Sequence, residues 1–189
     1  LQALDAGYRF MDEVGAGYPY RGQGVRVPTL REAFEAFPDA RFNLEIKAPG
    51  RHRIRELVEL VLEFEREERT LLVAGEDSVQ AELRSVLGET GARPALGASL
   101  GDILDVVRSA VEGRAPATDS MVLQVPRAFG GQPLVTPELV AHCHAHAIHL
   151  HVWTINDPEE MQALLELGVD GLVTDWPARL ASLVASRDA

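Results

Sequence analysis

Residues 149–175, "HLHVWTINDPEEMQALLELGVDGLVTD", decide the fold. His149, His151 and Trp153 alternate with Leu150 and Val152, the period of two that marks a strand with unlike faces, expected over 149–155. Asp157-Pro158-Glu159-Glu160 then opens a helix. The aspartate can accept from the first exposed amides, and proline stands at the first turn, where its missing N–H costs least. This helix should run to about Leu167, and "GLVTD" (171–175) is short and apolar enough for another strand. Strand, helix and strand in immediate succession is the order of a parallel sheet covered by helices.

The same rhythm continues upstream. Thr29 and Glu32 have the spacing of a capping box, so a helix is expected from there to about Phe37. Phe42, Leu44 and Ile46 alternate with Asn43, Glu45 and Lys47 as a strand that Pro49-Gly50 ends. Ile54, Leu57, Val58, Val61 and Leu62 form the stripe of an amphipathic helix over about 51–67. "TLLVAG" (70–75) reads as a buried parallel strand and "SVQAELRSVLG" (78–88) as a helix closed by glycine. "RPALGAS" is a weak strand, "LGDILDVVRSAVEG" a helix ending in Gly113, "SMVLQVP" (120–126) a strand, and Thr136-Pro137-Glu138 a helix start. A final helix follows Pro177, and the glycine-rich opening "VGAGYPYRGQGVRVP" reads as a loop.

Six strands alternating with helices call for a doubly wound sheet or a barrel. Eight would close a barrel of the TIM type, which usually takes about 250 residues. This chain has 189, so the expectation is a single, partial TIM-barrel-type domain over 1–189, with about six of the eight β/α units and the N-terminal ones absent. Leu1 is not a methionine and no basic, hydrophobic leader precedes the folded pattern, so the native N-terminus is expected to lie elsewhere.

Composition narrows the function classes. A hydrophobic fraction of 46% with 25% charged residues is ordinary for a globular chain. A net charge of −11, from 18 basic and 29 acidic residues, argues against a nucleic-acid or anionic-membrane partner. No apolar run approaches the roughly 20 residues of a transmembrane helix. The single cysteine, Cys143, excludes an intrachain disulfide and fits a reducing compartment, giving a cytoplasmic expectation.

In a parallel barrel one strand face points inward, and chemistry gathers at the C-terminal strand ends. Asn43, Glu45 and Lys47 would then face inward, with the last two nearest the mouth. A carboxylate there could hold a hard divalent cation and an ammonium could oppose a phosphate. The alternative is an ion pair on an exposed edge strand. Trp153, near the end of its strand, could wall a small-ligand pocket or simply pack, and Gln124 near another strand end could line the site or serve a structural hydrogen bond. His142, His144, His146, His149 and His151 crowd into ten residues. His142 and His146 have the i, i+4 spacing of a chelate, but without an HExxH glutamate or a third ligand they read as solvated or barrel-lining histidines. Cys143 lies between histidines on a helix, where adjacent residues point apart, so adjacency makes no dyad.

Taken together, "VPTLREAFEAFP", "FNLEIK" and "HVWTINDPEEMQALLELGVDGLVTDWP", in this order and spacing, resemble the glycerophosphodiester phosphodiesterase family from about Val25 to Leu180. The resemblance implies a TIM barrel that hydrolyses glycerophosphodiesters to glycerol phosphate and an alcohol with a divalent cation, Mg or Ca. It implies Glu45 as a metal ligand, Lys47 near the phosphate, Trp153 in the substrate pocket and Gln124 as a further lining residue. The family's H-R-G strand, E-x-D pair and H-D motif have no counterpart in this chain. They carry the acid/base histidines and the remaining metal carboxylates. The chain should therefore begin just after the H-D region, with "LDAGYRF" entering the loop before the third strand, and should be inactive or nearly so by itself. The alternatives are a non-catalytic binding module on a degenerate barrel and a Schiff-base barrel using Lys47.

Overall fold

Where the pattern alternates with a period of two, the computed structural model forms strands, and where it follows a helical stripe it forms helices. The structure describes residues 3–12, 15 and 17–187, so Val14 and Ala16 of the glycine-rich opening lie outside the described residues. The chain divides into two compact units, Leu1–Ala40 and Arg41–Ala189.

In the first unit the Asp5 carboxylate ties a loop together. Asp5 accepts from the Gly7 amide at 2.9 Å and the Gly22 amide at 2.8 Å, which closes the intervening chain. The Arg21 guanidinium stacks over Tyr8 and Tyr18, 4.4 and 3.7 Å from the ring centroids, a cation–π pairing. Helix α1 (Leu30–Ala36) follows, and its start is the capping box expected from the sequence. The Thr29 hydroxyl accepts from the Glu32 amide, and the Glu32 carboxylate accepts from the Thr29 amide.

The second unit is the strand–helix alternation of a TIM-barrel-type fold. Strands β1 (Phe42–Glu45), β2 (Thr70–Val73) and β3 (Ala95–Leu96) pair in parallel, and so do β4 (Val122–Pro126), β7 (His149–Trp153) and β8 (Gly171–Leu172). A parallel bridge between Gly97 and Val122 joins the two sets, so among the described residues six parallel strands follow one another in chain order. Between β4 and β7 a small antiparallel hairpin intervenes, β5 (Ala128–Phe129) and β6 (Gln132–Pro133), turning at Gly130-Gly131. The sequence reading leaves that segment unassigned.

Helices α2 (Arg51–Glu63), α3 (Asp77–Thr90), α4 (Leu100–Glu112), α5 (Pro137–Ala145), α6 (Pro158–Leu167) and α7 (Pro177–Arg187) complete the unit. Ile54 and Val58 of α2, and Leu83 and Val86 of α3, pack with Leu72 and the under-face residues Leu44 and Ile46. A second cluster joins Val106, Leu139, Cys143 and Met161 to Leu123, Val125, Leu150 and Val152. Each fully buried aliphatic side chain contributes about 1.5–3 kcal/mol of transfer free energy, and these clusters set which strand face turns to the helices.

Boundaries of two kinds differ from the periodicity. Helix α3 runs through Gly88 to Thr90, and Gly91 ends it in the left-handed conformation, φ 73°. The preceding Leu87 is buried on the helix's packed face, so the helix has core to cover beyond Gly88. The strands also stop earlier, at Glu45, Trp153 and Leu172, because the residues beyond enter the strand-to-helix turns.

Candidate active site

At the C-terminal ends of the parallel strands lies a cleft of about 690 Å³. Strand β1 and the residues just after it supply Asn43, Glu45 and Lys47, while Phe42, Leu44 and Ile46 are half-buried on the other face. The period of two thus sorts the polar set to one face and the apolar set to the other. Gln124 of β4 and Trp153 of β7 line the same cleft. Glu45, Lys47, Gln124 and Trp153, the four residues that the resemblance assigns to the site, therefore line one cleft.

Lys47 Nζ stands 3.2 Å from Glu45 Oε2, with side chains 78% and 51% exposed. Water screens a pair so exposed and its contribution to stability is small, which leaves both charges available to a ligand. Gln124 and His151 lie opposite one another in the β4–β7 register, and Gln124 Nε2 is 3.5 Å from His151 Nδ1. Gln124 thus has a structural partner as well as a place in the cleft. His151 is half-buried, and that burial pushes its pKa below the ordinary imidazole value, with the neighbouring His149 adding to the effect and Asp170 opposing it.

The turn after β7 is held by Asn156, whose side-chain amide donates to Asp175 at 2.8 Å and whose carbonyl oxygen accepts from the Asp175 amide at 3.0 Å. Ile155 N–H also donates to the Val173 carbonyl at 2.9 Å. These bonds fix the ends of β7 and β8, and with them Trp153 and Val173.

None of the five histidines between positions 142 and 151 is among the described residues lining the cleft. Ser109 Oγ is 2.8 Å from His142 Nε2, and the His142 and His146 rings meet edge to face with centroids 4.7 Å apart. That ring contact is not a chelate. His144 and His149 flank Asp170 at 3.1 and 3.4 Å, away from the strand C-termini, at the start of β7. Cys143 is buried, which together with Asp170 pushes its thiol up to about 11, so it is no nucleophile at neutral pH. Among the described residues no group of three or more His, Cys, Asp or Glu side chains could hold a metal ion. Glu45 is the one carboxylate among the described residues lining the cleft.

The sequence reading missed the cleft's apolar lining, chiefly Leu100, Ile103 and Val173. An apolar residue at the first position of a helix, as Leu100 is after the Ser99 cap, was the available signal.

A model of the "Glycerophosphoryl diester phosphodiesterase family" matches residues 3–179. The chain is similar to the Mycobacterium tuberculosis protein named "Probable glycerophosphodiester phosphodiesterase 2", with 32% identity over 171 residues, 88% of this chain and 63% of that protein. It thus spans less than two thirds of that relative's length. Among solved structures, the glycerophosphoryl diester phosphodiesterase domain of another Mycobacterium tuberculosis protein shares the fold with a TM-score of 0.76 at 15% identity, over 98% of this chain and 73% of the other. An Oleispira antarctica phosphodiesterase, solved in complex with the product sn-glycerol-3-phosphate, gives a TM-score of 0.66 at 20% identity over 98% and 69%.

Proposed function

The chain belongs to the glycerophosphoryl diester phosphodiesterase family, and on that premise we propose that its cleft serves the hydrolysis of glycerophosphodiesters to glycerol phosphate and an alcohol. The observation that carries this reading is the meeting of Glu45, Lys47, Gln124 and Trp153 in one cleft at the C-terminal strand ends. A phosphodiester carries one negative charge, and more develops on its oxygens as water adds and the alcohol oxygen leaves with the electrons of the P–O bond. The Lys47 ammonium opposes that charge. Trp153 offers an apolar face to the non-phosphate part of the substrate, and Gln124 a hydrogen bond.

A divalent cation, Mg or Ca, would oppose the same charge, and Glu45 is the oxygen donor offered to it. One carboxylate already paired with a lysine is an incomplete set for a hard cation, which takes about six to eight oxygens as Ca, so no step is routed through the ion here. Hydrolysis also needs a proton acceptor and a donor, and no histidine is among the described residues lining the cleft. The chain by itself is therefore read as a binder of phosphate esters with little or no turnover. The described residues form six parallel strands in succession, where a closed barrel of this type has eight, which supports reading the chain as part of one.

The alternative of a binding module without catalysis is favoured by that same lining. A Schiff-base role for Lys47 is disfavoured, because its side chain is 78% exposed and its amine stands beside a carboxylate rather than desolvated in an apolar pocket. The deciding assay measures glycerol phosphate release from glycerophosphocholine, with Mg or Ca, by this chain and by a form extended upstream with its own coding sequence. Release by the extended form, lost in Lys47→Ala and Glu45→Ala, is expected. No release across several headgroups assigns the module instead. In parallel, Lys47→Ala should weaken binding of sn-glycerol-3-phosphate by roughly tenfold or more, the scale of one charge-assisted hydrogen bond.

A further inference from the structure

Gln124, His151 and Gly171 are neighbours across β4, β7 and β8, in register with one another. Trp153 and Val173, two residues on from His151 and Gly171, line the cleft, so His151 belongs to the layer directly beneath it. Its ring is held from both sides. A Cβ on Gly171 would stand 2.8 Å from Cδ2 and 3.1 Å from Nε2, so the missing side chain gives that edge its room. On the other side Nδ1 meets Gln124 Nε2 at 3.5 Å, a long hydrogen bond. An amide nitrogen can only donate, so in this arrangement Nδ1 is the acceptor and the proton of the neutral ring sits on Nε2. The Gln124 side chain makes no other hydrogen bond among the described residues, which leaves its carbonyl oxygen to what enters the cleft.

We propose that His151 is a positioning residue: it holds the Gln124 amide with its nitrogen toward the ring and its carbonyl oxygen toward the cleft, where that oxygen accepts from a hydroxyl of a phosphate ester. For the ligand the inference rests on the phosphate reading of Lys47 given above; the placement of the amide does not. The coupling follows from the donors each group carries. A protonated imidazole has N–H at both nitrogens, so Nδ1 would donate and the amide would exchange its ends, turning its N–H groups to the cleft. One proton beneath the cleft thus decides whether Gln124 offers an acceptor or a donor. The charged and titratable groups acting on the ring are His149 of the same strand and Asp170 before β8, itself flanked by His144 and His149, while β4 brings the uncharged Gln124. Burial outweighs Asp170, so the ring is neutral at about pH 7.5 and the acceptor faces the cleft there.

Nitrogen NMR of the isotope-labelled protein without ligand should show the His151 ring with Nδ1 unprotonated and Nε2 protonated at about pH 7.5; the reverse tautomer overturns the proposal. Binding is then compared between sn-glycerol-3-phosphate and dihydroxyacetone phosphate, which carries a carbonyl at the middle carbon in place of a hydroxyl. Their phosphates titrate alike, so the ratio of the two dissociation constants isolates the contact to the amide. Glycerol phosphate should bind about fivefold tighter at about pH 7.5, the scale of one hydrogen bond. The ratio should fall toward one as the ring takes up its proton, with the midpoint that NMR gives for His151. His151→Phe, which keeps a ring and removes both nitrogens, should bring the ratio near one at every pH while circular dichroism stays unchanged. In a Gln124→Ala background the same substitution should change nothing further. A ratio near one in the parent, a ratio indifferent to the charge on the ring, or an effect of His151→Phe that persists without Gln124 overturns the proposal. If neither ester binds, the phosphate reading falls, and the ring tautomer alone decides the placement of the amide.

Discussion

Burial pushes the Cys143 thiol up to about 11, and its side chain lies within the cluster that joins α5 to β4 and β7. A thiol that is both neutral and inaccessible reacts only when the chain opens. Disulfide-exchange labelling at about pH 8 should leave Cys143 unmodified in the native protein and modify it fully in denaturant; rapid native labelling would contradict this burial. Lys47 illustrates the opposite case. Its alternation with Ile46 was legible as a face, but what lies opposite that face was not. Trp153 and Gln124 come from elements more than seventy residues downstream, and only the parallel register brings them to the same cleft.

At the scale of elements, two glycines test why strands and helices end where they do. Gly171 pairs with His151 in the β7–β8 register, and a Cβ there would stand 2.8 Å from the His151 ring. Gly171→Ala should therefore lower stability by about 1–3 kcal/mol, read as a fall in the denaturation midpoint. Gly88 sits inside α3, where a Cβ would meet nothing within 4 Å. Gly88→Ala should raise stability by about 0.5–1 kcal/mol, because alanine loses less backbone entropy in a helix. Were Gly88 the helix stop that its sequence position suggests, the same change would destabilise. Gly88 and Gly91 could not be told apart as stops from spacing alone. The choice depends on how far Leu87 and its neighbours must reach to cover the sheet.

Acid should weaken the whole molecule. Burial holds the pKa of His151 and of His142 below the ordinary value of 6.5, so when the pH falls through that value the unfolded chain takes up protons that the folded chain does not. Asp102 and Asp170 act with the same sign lower down. Their hydrogen bonds hold the carboxyls below the ordinary value against the opposing effect of burial, and that stability is lost as the pH falls through the folded pKa values. Urea midpoints measured between pH 7.5 and 5 should fall, and His151→Gln should reduce the fall; a midpoint constant over that range would refute the linkage. By itself the sequence determined the alternation of strands and helices, the capped helix starts and the unlike faces of β1 and β7, because these follow from periods of two and 3.6 along the chain. Only the tertiary structure decided that Glu45 and Lys47 share a cleft with Trp153 and with an apolar wall at Leu100, because neighbours across a sheet are set by register and packing, which no local spacing encodes.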